Sequence, residues 1–377
     1  MIRIGLDYTA AYEQSGGIGR YVRELVGALV RQDQTNLYHL FVAGVSSDLL
    51  LSFAENFRWL PTRISPQWLA RIWYRAWLPL PVEFFVGRVH LYHATDFVLP
   101  PTLPRTYTLL TVHDLSFVRV PETASPRLKA YLDRVVPFSV KRADHILADS
   151  QAAKADLIDL YGLASEKITV LLSGVDKSFR QVVDAGVLLT TRIRYKIGTT
   201  PYIFAVGTVQ PRKNYSRLIE ALARLRASGY DINLVIAGGK GWLENPIYET
   251  IQTTNMQEHV HLIGFADDAD LPALYSAATC FALPSLYEGF GLPVLEAMAC
   301  GTPVITSNVS SLPEVAGDAA LVVDPYDIDA LTHSIQRVLD DEQLRATLVK
   351  KGFERAKLFD WDNSARQLCQ LYADLLS

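Results

Sequence analysis

Short apolar segments alternate with longer amphipathic segments along most of this chain. In the C-terminal half the apolar segments fall at residues 202–207, 232–237, 259–263, 279–283, 303–306 and 320–323, each followed by a helical pattern. This βαβα alternation predicts a doubly wound parallel sheet. The N-terminal half begins in the same way, with an apolar strand at 2–6 and then a helix with Val22, Leu25, Val26 and Leu29 on one face. We therefore predict an α/β fold.

The hydrophobic pattern divides the chain into two domains. It weakens between Asp176 and about Gly198, where polar residues dominate, and this stretch is typical of an interdomain connection with an entry helix. A chain of 377 residues is long enough for two cores. We predict a first domain over 1–176, a connection over 177–198, a second domain over 199–361 and a final helix over about 362–377.

Composition excludes several classes of protein. The chain is 49% hydrophobic and 20% charged, and its net charge of −4 argues against nucleic-acid binding, which requires a basic surface. Its three cysteines are too few and too widely spaced for a disulfide framework or a zinc site. The chain starts with a strand pattern instead of a signal peptide, and no apolar run reaches membrane-spanning length. We expect a cytoplasmic protein.

The stretch from Leu283 to Gly301 is the strongest candidate for a ligand site. The strand at 279–283 leads into a loop with Glu288, Gly289 and Gly291, and Pro293 opens a helix that stops at Gly301. Glycines let backbone amides approach a bound group, and a helix start offers N–H donors to an anion. With Glu288 in the loop and Glu296 in the first helical turn, both carboxylates could face one pocket. A structural role for each glutamate is the alternative.

A second candidate follows the strand at 202–207, in the segment Gly207-Thr-Val-Gln-Pro-Arg-Lys-Asn-Tyr215. We predict Asn214 as the N-cap of the next helix. Arg212 and Lys213 then stand at the positive end of that helix, where cations are unfavourable unless an anion neutralises them. Arginine also offers bidentate geometry to phosphate oxygens. The segment predicts an anion site, and the alternative is a solvated basic loop.

Two further features lie in the first domain. Gly16 and Gly17, between the first strand and the first amphipathic helix, form either a phosphate-binding nest or an unliganded turn. The apolar strands that lead to Asp96 and His113 end in polar residues, which is where open α/β sheets bind ligands. His113 alone is equally consistent with a hydrogen-bonded structural histidine.

The region from Arg58 to Trp77 is rich in aromatic residues. Trp68, Ile72, Trp73 and Trp77 recur at helical spacing, and arginines lie between them. Such a stripe is typical of packed core. The mixture of tryptophan and arginine also suits a helix at a membrane surface or an acceptor groove. We keep both interpretations, with a peripheral membrane contact as the functional one.

Several of these segments resemble the retaining nucleotide-sugar glycosyltransferases of family GT4. Glu288-Gly-Phe-Gly-Leu-Pro-Val-Leu-Glu296 is similar to the family's E-x7-E signature, and the similarity continues through Ala297-Met-Ala-Cys-Gly-Thr-Pro-Val-Ile and Pro313-Glu-Val-Ala-Gly. Gly207 to Asn214 resembles Gly-x-x-x-x-Arg-Lys-Asn, and Thr111 to Leu115 resembles Thr-x-His-Asp-Leu. The resemblance implies the GT-B fold, in which two Rossmann-like doubly wound domains face a central cleft and the C-terminal helix crosses back onto the first domain.

The resemblance also implies roles for individual residues. Arg212 and Lys213 would hold the donor diphosphate, Glu296 the ribose hydroxyls, and Glu288 would lie near the transferred sugar. His113 would reach the donor sugar near its reacting carbon, and the Gly16-Gly17 loop would lie across the phosphates. The other donor-binding positions are Gly207, Gly289, Phe290, Gly291 and Leu292. Ser173 replaces the family's usual asparagine, which puts that hydrogen-bonding position in doubt.

The expected activity follows from the same resemblance. It implies a retaining hexosyltransferase of bacterial polysaccharide assembly, with GDP-mannose as the first choice of donor and UDP-glucose as the second. The acceptor would be a glycan or a lipid-linked glycan at the inner membrane face. We expect no cofactor and no catalytic metal, because no Asp-x-Asp triplet follows a strongly apolar strand and Arg212 and Lys213 could replace a metal charge. A nucleotide-sugar epimerase of this fold and a catalytically silent sugar-nucleotide-binding protein are the alternatives.

Overall fold

The computed structural model of the chain describes residues 1–14, 16–46 and 54–377, and it divides into two compact units. Unit 1 comprises Met1–Leu115, Ala130–Gly174 and Asp360–Ser377, and unit 2 comprises Ser116–Lys129 and Val175–Phe359. Each unit contains one parallel sheet with helices beside it. The predicted α/β fold of two doubly wound domains is confirmed. Residues 116–129 group with unit 2, although they lie within the first predicted domain.

The sheet of unit 1 has seven strands in the order β3-β2-β1-β4-β5-β6-β7. The strands are β1 (Arg3–Asp7), β2 (Leu37–Ala43), β3 (Phe57–Thr62), β4 (Leu91–Ala94), β5 (Tyr107–Val112), β6 (His145–Ala148) and β7 (Ile168–Val170). All the paired strands are parallel. The chain therefore winds outward from β1 in one direction and from β4 in the other, so the order reverses between these two strands.

The sheet of unit 2 has six parallel strands in the order β10-β9-β8-β11-β12-β13. The strands are β8 (Tyr202–Val206), β9 (Asn233–Ala237), β10 (Val260–Gly264), β11 (Cys280–Leu283), β12 (Val304–Ser307) and β13 (Ala320–Val323). All six strands lie within one residue of the positions that the hydrophobic pattern predicts. The order reverses between β8 and β11, which is the topological switch point of this sheet.

Sixteen α-helices of the described residues accompany the sheets. They are α1 (Thr9–Glu13), α2 (Ile18–Gln32), α3 (Pro66–Ala70), α4 (Glu83–Val86), α5 (Ser116–Arg119), α6 (Pro126–Arg142), α7 (Gln151–Tyr161), α8 (Ala185–Arg194), α9 (Tyr215–Ala227), α10 (Asn245–Thr253), α11 (Leu271–Ser276), α12 (Leu292–Ala299), α13 (Leu312–Ala316), α14 (Ile328–Asp340), α15 (Glu342–Ala356) and α16 (Trp361–Leu375). Single turns of other helix types cover Arg71–Arg75, Pro121–Thr123, Ser165–Lys167 and Pro211–Lys213.

The central strands are covered on both faces, so their side chains are buried without alternation. In β8, for example, Ile203, Phe204 and Ala205 are all fully buried. Helix α2 buries Val22, Leu25, Val26 and Leu29, as its 3.6-residue periodicity predicts.

The final helix, α16, belongs to unit 1. Tyr372 is fully buried, and its hydroxyl makes a 2.8 Å hydrogen bond with Nδ1 of His93 on β4. At the start of the helix, Asp362 forms an ion pair with Arg31 of α2, with 2.7 Å between Oδ1 and Nη2. These contacts join the C-terminal residues to the first half of the chain.

Candidate active site

In unit 2, two basic side chains converge on one carboxylate. Lys213 Nζ lies 2.7 Å from Glu288 Oε1, and Arg212 Nη1 lies 2.8 Å from Glu288 Oε2. Ser285 Oγ donates a further 2.6 Å hydrogen bond to Glu288 Oε1. Arg212 and Lys213 follow β8 and Glu288 follows β11, so the cluster lies at the topological switch point of this sheet. Open α/β sheets bind their ligands at this position.

The charges of this cluster stabilise one another. Burial alone would raise the pKa of Glu288, but the adjacent cations Arg212 and Lys213 lower it to about 2. The carboxylate is therefore ionised across the neutral range, and both basic groups face a negative charge. The sequence predicts a site for a bound anion beside Arg212 and Lys213, and in the structure the carboxylate of Glu288 pairs with both cations.

Asn214 does not cap α9 with its side chain, which corrects the sequence-based expectation. The residue occupies the N-cap position in a left-handed conformation with φ 59°, and no side-chain cap hydrogen bond forms. Instead, its Nδ2 donates to the carbonyl oxygens of Pro284 at 2.9 Å and Pro325 at 2.7 Å. The amide therefore joins the turn before α9 to two other loops at the carboxyl edge of the sheet.

Glycines give the Lys213 side chain its space. Gly207 has φ 142°, and a Cβ at this position would lie 2.7 Å from Lys213 Cε. Gly238 lies against the same turn, where a Cβ would lie 1.9 Å from the Gly207 carbonyl oxygen. The backbone after β8 thus passes close to both Lys213 and the end of β9, and glycine is required at each contact.

The loop from Gly289 to Leu292 is held by two serines that sequence analysis does not identify. The backbone N–H of Glu288 donates to Ser310 Oγ at 2.8 Å, and Ser311 Oγ donates to the carbonyl oxygen of Phe290 at 2.6 Å. Gly291 then occupies the N-cap of α12 with φ 116° and makes no side-chain cap. The signal for these serines is their place just before the quoted Pro313-Glu-Val-Ala-Gly motif.

The sequence predicts Glu296 in the first turn of α12, but in the structure this residue lies just beyond that turn. The helix starts at Leu292, one residue before Pro293, so Glu296 is its fifth residue. The side chain is buried, and its Oε2 accepts a 2.8 Å hydrogen bond from the hydroxyl of Tyr275. Tyr275 on α11 is a partner that the E-x7-E spacing alone does not reveal. Glu288 and Glu296 are therefore held by different groups.

In unit 1, the Gly16-Gly17 loop leads directly into α2. Gly17 is the N-cap, with φ 50° and no side-chain cap, and a Cβ on either glycine would meet nothing within 4 Å. Gly19 is different, because a Cβ there would lie 2.0 Å from the Gln14 carbonyl oxygen. Ser15, which begins the predicted loop, lies outside the described residues. At this helix start the Gly19 N–H donates to the Gly16 carbonyl oxygen at 3.1 Å, and the space beside Gly16 and Gly17 is open.

His113 follows β5 and is buried. Its Nδ1 lies 2.7 Å from Asp149 Oδ2, and its Nε2 lies 2.8 Å from the Thr95 carbonyl oxygen. Burial lowers the pKa of His113, but the neighbouring carboxylate of Asp149 outweighs this effect and raises it to about 9. The carboxylate of Asp149 thus favours the protonated form of the ring. Asp149, which follows β6, is a partner that the sequence analysis does not identify.

Two carboxylates flank the switch point of unit 1. Asp7 ends β1, and Asp96 lies two residues after β4. Both side chains are partly exposed. Burial among other acidic groups raises the pKa of Asp96 to about 6, although the charge of His113 opposes this shift. The sequence signal for Asp96 is its place at the polar end of an apolar strand.

The aromatic stripe divides between core and surface. Trp73 is buried, whereas Trp68 and Trp77 are 58% and 41% exposed. Helix α3 ends at Ala70, a π-helical turn covers Arg71–Arg75, and Trp77 with φ 52° lies beyond both, so the three rings do not share one helical face. Arg71 lies 4.7 Å over the Trp68 ring, and Arg134 lies 5.4 Å over the Trp77 ring.

Clusters of metal-ligating side chains and membrane-spanning helices are both missing from residues 1–14, 16–46 and 54–377. These residues include no group of three or more His, Cys, Asp and Glu side chains that could hold a metal ion. None of their helices is both long enough and apolar enough to cross a membrane.

The chain is similar in sequence to known glycosyltransferases. The profile of the family Glycosyl transferases group 1 matches residues 190–355, and that of Glycosyltransferase Family 4 matches residues 15–179. The O-antigen chain mannosyltransferase B of Escherichia coli is 35% identical over 286 residues, which cover 75% of this chain and 74% of that protein. The serotype-specific mannosyltransferase WbdA of Escherichia coli is 31% identical over 251 residues, but these cover 65% of this chain and only 30% of that protein.

A solved structure shows the likeness in fold. The sucrose-phosphate synthase from Thermosynechococcus elongatus has a TM-score of 0.78 and 24% sequence identity, and the superposition covers 100% of this chain and 99% of that one.

Proposed function

The chain belongs to the glycosyltransferase family 4 and group 1 glycosyltransferases, which have the GT-B fold, and on this premise we propose that it transfers mannose from GDP-mannose with retention of configuration. The acceptor would be a hydroxyl of a glycan or lipid-linked glycan in bacterial polysaccharide synthesis. The names of the mannosyltransferase relatives support the choice of sugar. UDP-glucose is the alternative donor.

The observation that carries this proposal is the pair of cations at Glu288. Lys213, which is buried, and Arg212, which is partly buried, lie at the switch point of the unit 2 sheet. There a donor diphosphate would bind these cations, either in place of the Glu288 carboxylate or beside it. As the bond between the sugar C1 and the phosphate oxygen breaks, negative charge grows on the leaving diphosphate. Arg212 and Lys213 would stabilise that charge, because both cations already lie at the switch point where the diphosphate would bind.

The acceptor oxygen forms the new bond to C1 on the face that the diphosphate leaves, and its proton passes to the leaving phosphate. We assign no protein nucleophile. Glu288 would bind the transferred sugar and Glu296 the ribose hydroxyls, since carboxylates accept hydrogen bonds from hydroxyl groups. Backbone N–H groups at Gly16-Gly17 and at Gly289 to Leu292 would bind phosphate oxygens. We also propose that no metal ion is needed, so that EDTA leaves the rate unchanged.

A thermal-shift panel of GDP-mannose, GDP, UDP-glucose, UDP and ADP-glucose tests the donor. A ligand that binds only the folded chain raises its melting temperature, and we expect GDP-mannose to give the largest rise. Lys213→Ala should abolish that rise, whereas the control Lys351→Ala, which removes a surface ion pair of the same unit, should keep it. A larger rise with UDP-glucose would move the assignment to that donor, and no rise with any nucleotide would overturn the proposal.

Product analysis separates transfer from the alternative activities. We expect nucleotide release from GDP-mannose to require an acceptor glycan and to give an α-linked product, as retention demands. An epimerase would consume the donor without an acceptor and yield an epimer or a free sugar. A catalytically silent protein would bind the donor and release no nucleotide.

We further propose that the protein contacts a membrane through the surface formed by Trp68, Arg71, Trp77, Arg134 and Phe138. The rings of Trp77 and Phe138 meet edge to face at 4.9 Å, and Phe138 is 43% exposed. Exposed aromatics with arginines over their rings suit the interface of an anionic bilayer. Trp68→Ser with Trp77→Ser should reduce sedimentation with phosphatidylglycerol vesicles, and the exposed control Ile193→Ser of unit 2 should not. Equal binding by both variants would contradict this contact.

A further inference from the structure

The environment of His113 limits what its ring can do. A backbone carbonyl only accepts hydrogen bonds, so the 2.8 Å contact with Thr95 requires a proton on Nε2. At the other ring nitrogen, Nδ1 faces Asp149 Oδ2 at 2.7 Å. Both nitrogens are therefore occupied by protein acceptors, and the two contacts together accommodate the doubly protonated imidazolium.

The remaining neighbours also fix the ring and favour its charge. Tyr21 of α2 and Phe97 meet the ring nearly at right angles, with centroids 4.9 and 5.6 Å away. The titratable groups that act on the pair are Asp96 after β4, Asp114 next to His113 and His93 on β4. The two aspartates add negative potential. His93 adds little positive charge, because burial lowers its pKa to about 3 and leaves it neutral.

We propose that Asp149 is a positioning residue that keeps His113 protonated and fixed in place. His113 then contributes a positive charge and a hydrogen bond to the Thr95 carbonyl oxygen, and it transfers no proton. This hydrogen bond holds the backbone just before Asp96 and the turn at Phe97. Phe97 has a φ of 49°, which is a strained conformation for a bulky residue. Asp149, His113 and the Thr95 carbonyl thus form a continuous link from the end of β6 to the end of β4.

The charge state can be measured without assuming any activity. In protein labelled with ¹⁵N-histidine, the ring-nitrogen shifts of His113, assigned by their loss in His113→Gln, should show two protonated nitrogens at pH 7.5. Asp149→Asn removes the negative partner, and with a pKa at or below the ordinary 6.5 about one tenth or less of His113 stays charged at that pH. A neutral tautomer in the wild-type protein would overturn the proposal, even if Asp149→Asn does not fold.

The activity readout rests on the proposed function. The alkaline fall in the wild-type rate should lie near pH 9, and in Asp149→Asn it should move about two or more pH units lower.

The control Asp33→Asn removes another buried carboxylate of unit 1 and should change neither the His113 spectrum nor the shape of the pH profile. An unchanged profile in Asp149→Asn would contradict the role of Asp149. If the wild-type protein transferred no sugar from any donor, the proposed function would be wrong. The NMR result on the charge of His113 would still hold, because it does not depend on activity.

Discussion

Lys213 Nζ lies 2.7 Å from Glu288 Oε1, and both side chains are buried in unit 2. The contact joins the turn after β8 to the loop after β11, two strands that are neighbours in the sheet although about 75 residues separate the two side chains in sequence. A buried ion pair stabilises a fold only when its geometry compensates for lost hydration. Here Arg212 and Ser285 provide the additional hydrogen bonds that Glu288 needs.

Lys213→Ala should lower both stability and donor affinity. It removes a hydrogen bond between two charged groups and leaves a buried carboxylate with fewer partners, so we expect a loss of about 2 kcal/mol in the free energy of unfolding. Urea denaturation measures this loss. Lys351→Ala, which breaks the exposed pair with Asp318, should change the same quantity by less than about 1 kcal/mol. Equal effects from the two substitutions would show that burial of the Lys213 pair has no energetic importance.

The ionisation of Glu288 should make stability depend on pH in the acid range. Its pKa in the folded state, about 2, is below its ordinary value of 4.5, so the stabilisation is complete above pH 4.5 and is lost as the pH falls through 2. The corresponding free energy is about 3 kcal/mol. Glu288→Gln cannot ionise, so its stability should fall less steeply between pH 5 and 2. Parallel curves for the wild-type protein and Glu288→Gln in urea denaturation would contradict this assignment.

The sequence predicts backbone features better than side-chain partners, and particular residues show why. Strands such as β8 are visible because a parallel sheet buried on both faces selects continuous apolar segments. The ends of these strands also indicate where Arg212 and Glu288 meet in unit 2 and where His113 lies in unit 1, since the parallel strands of each sheet finish at one edge. Asn214, in contrast, suggests a helix cap from its local sequence, but its amide bonds to Pro284 and Pro325, distant residues that only the folded chain brings together.

The same limit applies to Trp68 and Trp77. The i, i+4 spacing of Trp73 and Trp77 fits one helical face, but the helical residues end at Arg75 after a π-helical turn, and no simple residue pattern indicates such a turn. Asp149 and Tyr275 are missed for a related reason. Each is remote in sequence from the residue that it holds, and only the strand order and the helix packing bring the pairs into contact.

Gly207→Ala should displace Lys213 and weaken donor binding. The new Cβ would lie 2.7 Å from Lys213 Cε, closer than two carbon atoms can approach, so the lysine side chain must move. Because a hydrogen bond to a charged group contributes about 1.5–3 kcal/mol, we expect roughly tenfold or greater loss of GDP-mannose affinity by calorimetry. Gly229→Ala is the matched control, since Gly229 also has a positive φ of 93° but has nothing within 4 Å of its Cβ. It should lose stability from backbone strain and keep its donor affinity. Similar losses of affinity in both variants would exclude the steric explanation.

Glu296 should make donor binding sensitive to the ribose hydroxyls. Its buried carboxylate is held by the Tyr275 hydroxyl at 2.8 Å, and a ribose 2′-hydroxyl that donates to it would gain about 1.5–3 kcal/mol. The wild-type protein should therefore bind GDP roughly tenfold or more tightly than 2′-deoxy-GDP. Glu296→Gln should remove most of this difference, and Tyr275→Phe should reduce it by loosening the carboxylate. Calorimetric titration with both nucleotides measures the ratio directly. A ratio that stays the same in Glu296→Gln, whether or not both nucleotides bind more weakly, would place the ribose hydroxyl elsewhere and leave Glu296 with a structural role.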